Sequence, residues 1–258
     1  MPTDWSFVAE DADAYLDTSP SVDREARVDA VLIHGSPADN PWSNLATRIR
    51  FSGADPLPEI ESVRAWFGAR SVTEFRWLLG PSATPADLPR SLAMAGARPD
   101  ENEPELIAMV LTQAPPRVDG VPIREIRNLP DFEAMERIHR EVLGASAGPT
   151  APTEQRWADF QAMHGSRAFL AELDGKAVAY GVMRSTEPGP VLLAGGVTLP
   201  RARGRGAYRA LVRARWDAAR DSGAPALVTQ AQAASRPILE RLGFQSTGRM
   251  PVLVDAGI

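Results

Sequence analysis

From residue 121 onward the spacing of apolar positions is regular and switches repeatedly between a period of two and a period near 3.6. Residues 121–127 read as a strand. Residues 131–143 read as a helix, with Asp131 as its N-cap and Phe132, Met135, Ile138 and Val142 on one face. A loop of small residues, 144–152, leads to a second helix over 153–163 that carries Trp157 and Phe160 on its apolar side. Strands at 168–173 and 177–183 flank Asp174-Gly175, a strong hairpin signal. Residues 191–199 form the next strand, and Gly195-Gly196 inside it marks a bulge or a close backbone approach. Ala207, Ala210, Leu211, Ala214 and Ala218 then recur at helical spacing until Gly223 and Pro225. A buried strand at 226–229 follows, then a helix at 236–242 closed by Gly243, and strands at 244–247 and 252–254.

The first half is less regular. A helix is predicted over 23–33 from Ala26, Val28, Ala30, Val31 and Ile33, then a proline-containing loop over 35–44 and a short strand over 48–52. A helix at 60–68, a strand at 75–79, a helix at 85–95 closed by Gly96, and a strand at 106–111 complete it. Ala114-Pro115-Pro116 and Asp119-Gly120 break the chain, which divides it into domains 1–115 and 121–258. Val63-Arg64-Ala65-Trp66, a strand, a proline-containing helix and Gly96 run in the same order as Val212-Arg213-Ala214, a strand, a proline-containing helix and Gly243. This echo predicts that the first half is a degenerate partial repeat of the second.

Composition narrows the chemistry. A hydrophobic fraction of 44% over 258 residues is enough for a sizeable core. Cysteine is absent, which removes disulfides, thiolate nucleophiles and cysteine metal sites. His34, His139 and His164 are scattered without ligand spacing, so no metal is expected. There is no apolar signal core and no run long enough to span a bilayer, and the expected setting is cytoplasmic, with no membrane partner. Lys176 is the only lysine amid abundant arginine, alanine and proline, a bias that suggests a bacterial source. The net charge of −5 opposes nucleic-acid binding. Within this acidic chain Arg201, Arg203, Arg205, Arg209, Arg213 and Arg215 form a basic strip.

That strip begins in the loop between the strand at 191–199 and the helix after it: Arg201-Ala202-Arg203-Gly204-Arg205-Gly206-Ala207-Tyr208. Glycines let the backbone approach a ligand and turn its N–H groups toward it. Arginines at a helix N-terminus oppose its partial positive charge at about 0.3–1 kcal/mol each, a conflict that a bound anion removes. Strand, loop and helix resemble the acyl-CoA-binding core of the GNAT superfamily of N-acetyltransferases, whose loop reads Gln or Arg, two residues, Gly, one residue, Gly or Ala. Two registers fit, from Arg201 and from Arg203; Pro200 and the helix favour the second, which puts Tyr208 where a small residue is usual. Leu242-Gly243-Phe244 fits the family's later helix and strand, so the resemblance covers residues 121–254.

The resemblance implies an α/β fold of the α+β type: a mixed, mostly antiparallel central sheet flanked by helices, in tandem with the degenerate N-terminal half. It implies acetyl-CoA as co-substrate and transfer of the acetyl group to a primary amine, on a small molecule or a peptide, by direct attack in a ternary complex. The pantetheine arm would pair with the backbone of residues 196–199, at Val197, Thr198 and Leu199. The pyrophosphate would sit on Arg203, Gly204, Arg205, Gly206, Ala207 and Tyr208, with Gln232 nearby. The family's proton-donating tyrosine falls at Leu239, its usual asparagine at Gln232, and its frequent strand glutamate is missing. Tyr208 is one candidate for a substitute acid, against a role in packing or phosphate contact, and Tyr180 is another, against a place in the core. These losses keep open a non-catalytic acyl-CoA-binding sensor or interaction domain. Trp157 and Phe160 line an acceptor pocket or belong to the core.

Overall fold

The computed structural model describes residues 4–17, 22–35, 43–144, 151–187 and 189–256. The expected loops at 35–44 and 144–152 lie largely outside them. The elements in the first half are α1 (Ser6–Glu10), a 3-10 turn (Ala12–Tyr15), β1 (Val22–Ala26), β2 (Val31–Gly35), β3 (Asn44–Thr47), α2 (Leu57–Gly68), β4 (Phe75–Leu78), α3 (Leu88–Met94), β5 (Arg98–Pro99) and β6 (Glu105–Leu111). The second half contributes β7 (Ile123–Glu125), α4 (Leu129–Leu143), α5 (Thr153–Ala162), β8 (Ser166–Leu173), β9 (Lys176–Ser185), β10 (Val191–Thr198), a 3-10 turn (Pro200–Ala202), α6 (Ala207–Asp221), β11 (Leu227–Ala231), α7 (Arg236–Arg241) and β12 (Gln245–Asp255).

Four expectations are corrected. Residues 23–33 form the β1–β2 hairpin: Val28 is 95% exposed at its tip, while Ala30 and Leu32 are buried against neighbouring strands. Tertiary pairing overrode a helical spacing of small residues. The strand expected at 48–52 lies earlier, at β3, because Arg48 adopts a φ of 51° that ends it. The cap of α4 is Asn128, whose side chain accepts the Asp131 N–H at 2.9 Å; Pro130 in the first turn has no N–H to satisfy. Residues 244–247 and 252–254 belong to the single strand β12.

Among the described residues twelve strands join one mostly antiparallel sheet, in the order β1-β2-β3-β4-β12-β6-β11-β10-β9-β8-β7, with β5 beside β12. The two stretches expected as domains share it intimately. β6, from the first half, lies between β11 and β12 of the second. β12 pairs with β6 through residues 245–251 and then with β4 through residues 252–255. Each half thus lends a strand to the other.

Three clusters of apolar side chains hold the layers. α2 and α3 bury Ile60, Val63, Phe67, Leu88 and Leu92 against Leu32, Phe75, Trp77 and Leu253. α4, α6 and α7 enclose the sheet of the second half through Phe132, Ile138, Leu211, Val212 and Leu239. Trp157 and Phe160 pack at the edge of that core, stacked on each other and tilted against Phe132. Val8, Ala9 and Ala12 of the N-terminal segment cover the seam between the halves, on Val110, Leu192, Val228 and Val252.

Candidate functional site

The sheet opens between β10 and β11. These parallel strands pair only at Val191↔Leu227 and Leu192↔Val228. Beyond that, the register of β10 against β9 slips between Leu193 and Gly195, the bulge that the paired glycines foretold. Gly195 takes a φ of 147°, a region favouring glycine, and residues 194–196 are exposed although they sit in a central strand. An edge of backbone is left unpaired there by β11, next to Val197, Thr198 and Leu199.

The strand ends at Pro200, and the loop turns through Gly204 (φ 77°) and Gly206 (φ 91°) into the 15-residue α6. Gly206 is the N-cap of α6 and supplies no side chain, so the first-turn N–H groups of this helix keep their capacity for an outside acceptor. The corresponding approach to α2 is different. There Asp55 accepts the Leu57 N–H at 3.0 Å, and Glu59 lies in the first turn. The first half therefore places its own carboxylates where the second half places glycine and arginine.

The basic strip is not one surface. Arg201 pairs with Glu141, Arg205 with Asp174 of the β8–β9 hairpin at 3.1 Å, and Arg213 with Asp217 at 2.9 Å and the carbonyl of Pro115 at 2.8 Å. Exposed pairs of this kind contribute about 0–1 kcal/mol, enough to orient side chains without making the loop rigid. Arg203 and Arg209 are exposed and have no carboxylate partner among the described residues.

Arg215 is the exception. It is 1% exposed, and its Nε donates to the carbonyl of Leu211 at 3.1 Å. Its Nη1 donates to the carbonyls of Val182 and Gly195, each at 3.0 Å. Its Nη2 has no partner among the described residues. Burial lowers its pKa to about 10, so it stays charged at neutral pH. Residues 181 and 196, paired across β9 and β10, are both glycine; the first makes room for the guanidinium and the second for the Tyr208 ring. A Cβ on Gly181 would come 2.7 Å from the Arg215 Cζ, and one on Gly196 would come 3.1 Å from the Tyr208 ring.

Side chains alternate along a strand, so Gly181 and Gly196 face α6 while Tyr180 and Val197 face α4. Tyr208 and Tyr180 thus lie on opposite faces of the sheet. Tyr208 is half-buried; burial raises its pKa, and the Arg215 charge draws it partly back. The Tyr180 hydroxyl lies 2.7 Å from Nδ1 of His139 on α4, and burial raises the phenol's pKa well above its usual value. Leu239 is 1% exposed in the core. Gln232 is exposed just past the end of β11, its carbonyl accepting the N–H groups of Ser235 and Arg236. Among the described residues no three metal-binding side chains gather, and no helix is long and apolar enough to cross a membrane.

Arg215, Gly181 and the Tyr180–His139 contact escape sequence reasoning. Arg215 left one trace: it lies four residues after Leu211, on the apolar stripe of α6.

Comparison with known proteins agrees with this geometry. Residues 132–244 match the family described as acetyltransferase (GNAT) family. No curated protein matches the sequence significantly. A GCN5-related N-acetyltransferase from Kribbella flavida aligns with a TM-score of 0.70 at 18% identity, over 98% of this chain and 96% of its own. A tandem GNAT protein from the clavulanic acid biosynthesis pathway aligns with a TM-score of 0.62 at 17% identity, over 100% and 89%. A functionally unknown conserved protein from Staphylococcus epidermidis aligns with a TM-score of 0.66 at 13% identity, over 96% and 97%. At these identities the structures speak for the fold, which matches along the whole chain, and the match to the acetyltransferase (GNAT) family spans residues 132–244.

Proposed function

We propose that the chain transfers the acetyl group of acetyl-CoA to a primary amine, and that the site lies in the second half. The observation that carries this reading is the separation of β10 from β11 after Leu192, which leads directly into the glycine-rich N-terminus of α6. The backbone of residues 196–198, which β11 leaves unpaired, suits an amide-rich arm that binds like an added strand; Leu199, expected to extend it, is buried with its N–H on the Val178 carbonyl. The N–H groups of residues 204–208 suit a pyrophosphate, while the Arg203 N–H already donates to the Pro200 carbonyl at 3.3 Å; the Arg203 and Arg205 side chains add charge-assisted contacts. Gln232 stands at the far side of the opening, at the end of β11.

In this reading the amine attacks the thioester carbonyl directly, and the thiolate leaves. The chain's contribution is to hold the two reactants in line and to present backbone N–H groups to the carbonyl oxygen. Tyr208 is the proposed proton donor to the thiolate. In this reading the first half binds no cofactor of its own: Asp55 already accepts the Leu57 N–H before α2, and Glu59 in its first turn would repel a phosphate; the half shapes the acceptor side and completes the sheet. The acceptor is a small molecule or a peptide, and the setting is cytoplasmic.

Calorimetry with acetyl-CoA tests the reading, on wild type and on Arg203→Ala/Arg205→Ala. Micromolar binding that the double variant loses supports the site; no binding by folded wild type refutes it. A screen of amines for CoA release follows. A second reading, a non-catalytic acyl-CoA-binding domain, is favoured by Leu239, which fills core space where the family's donor stands. Release of CoA with any amine decides against it.

A further inference from the structure

The buried cation beneath the open strand has no place in the reading so far. Arg215 reaches from the third turn of α6 into the gap left by Gly181, and its Nη1 holds the carbonyl of Gly195 at 3.0 Å. Gly195 is the residue at which β10 slips its register and begins to stand free of β11. A trans peptide points its C=O and its N–H in opposite directions. With the Gly195 carbonyl tied down toward α6 and β9, the N–H of the same peptide, which belongs to Gly196, turns away from Arg215 and toward the unpaired edge.

The geometry points to Arg215 as a positioning residue that sets the Gly195–Gly196 peptide, so that the Gly196 N–H meets the thioester carbonyl of bound acetyl-CoA. This assignment rests on the acetyltransferase reading above. Four features support it. The same Nη1 also holds Val182, the residue paired with Gly195 across the bulge, so one nitrogen fixes both strands at the slip. The position is nearly sealed from water, where a fixed charge acts over a longer range than at the surface. The group remains charged at neutral pH despite its burial. Finally, Gly181 vacates the space it occupies and tolerates no side chain without displacing it. A cation so close beneath the strand also favours the negative charge that develops on the carbonyl oxygen during attack, without touching it.

The test compares Arg215→Met, Arg215→Lys and Gly181→Ala with wild type. Acetyl-CoA affinity is measured by calorimetry, kcat by CoA release with the best amine, and carbonyl polarisation by the infrared stretch of isotope-labelled acetyl-CoA when bound. The expected result for Arg215→Met is little change in affinity, a fall in kcat of about 10²–10³-fold, the range for loss of one preorganised donor, and a bound carbonyl stretch that returns toward its free frequency. Arg215→Lys recovers part of both. Gly181→Ala, which moves the guanidinium without removing it, lies between, and it keeps the test decisive if Arg215→Met does not fold. Wild-type turnover with an unshifted carbonyl, or with kcat unchanged in folded Arg215→Met, overturns the assignment alone. Wild type that neither binds nor consumes acetyl-CoA overturns the acetyltransferase reading and this assignment with it.

Discussion

Asp255 and Arg64 stand 191 positions apart in sequence, and their side chains meet inside the protein: Nε of Arg64 donates to Oδ2 of Asp255 at 3.0 Å. Trp77 Nε1 donates to the same oxygen at 3.1 Å, and Asp255 is fully buried. The contact fastens the end of β12 to the helix and strand of the first half. Removing one partner of a buried pair leaves the other charge uncompensated, at a cost of about 3–5 kcal/mol. Asp255→Ala should therefore destabilise the whole chain by about that amount in urea unfolding. A loss no larger than that of an exposed pair would mean that the pair is dispensable to the joint between halves.

Gly206 combines a φ of 91° with close neighbours; an added Cβ would lie 3.1 Å from Cγ1 of Val118. Gly206→Ala should cost about 1–3 kcal/mol from backbone strain alone. Because the same residue caps α6 and, under the proposed function, offers its N–H to the phosphate, acetyl-CoA affinity should fall as well. An alanine variant of unchanged affinity would place the pyrophosphate elsewhere.

Tyr208→Phe separates chemistry from packing. The ring lies against Gly196, and phenylalanine keeps that contact. If the hydroxyl delivers the proton to the leaving thiolate, kcat falls by about 10²-fold while acetyl-CoA affinity holds. An unchanged kcat assigns Tyr208 to packing.

Asp11 carries a pH dependence. Its Oδ2 pairs with Arg50 at 2.6 Å, but burial dominates and raises the carboxyl's pKa from 3.8 to about 6. Between those values the folded protein keeps a proton that the unfolded chain has released. Stability therefore falls as pH rises through that window, by about 3 kcal/mol in all. Asp11→Asn is neutral in both states and should lack this slope, so it gains on wild type between about pH 4 and pH 7. Parallel stability profiles for the two proteins would refute the shift.

Sequence patterning located most of the second half because its signals are local. Asp174-Gly175 needs only its own turn, and Gly195-Gly196 and the glycines of the loop carry their conformations with them. The first half was less legible. The edge hairpin around Val28 owes its strand character to pairing with β3, which no local spacing encodes. The neighbours of β6 were hidden for the same reason: an apolar run announces a buried strand and says nothing of which strands flank it. At the site, the loop was visible in its residue types. Arg215 was concealed by context, since an arginine on a helix reads as solvated until Gly181 on a distant strand is seen to make room for it.

The exchange of strands has a consequence for the order in which the molecule is made. β4 emerges from synthesis with one edge that only the end of β12 will satisfy, and roughly 170 residues must follow before it arrives. β6 likewise waits for β11 and β12. Neither half can therefore settle as it is translated. A ribosome stalled anywhere before residue 245 would hold a chain with open strand edges, a natural client for chaperones, and the opening between β10 and β11 takes its final shape only when the last strand closes the sheet.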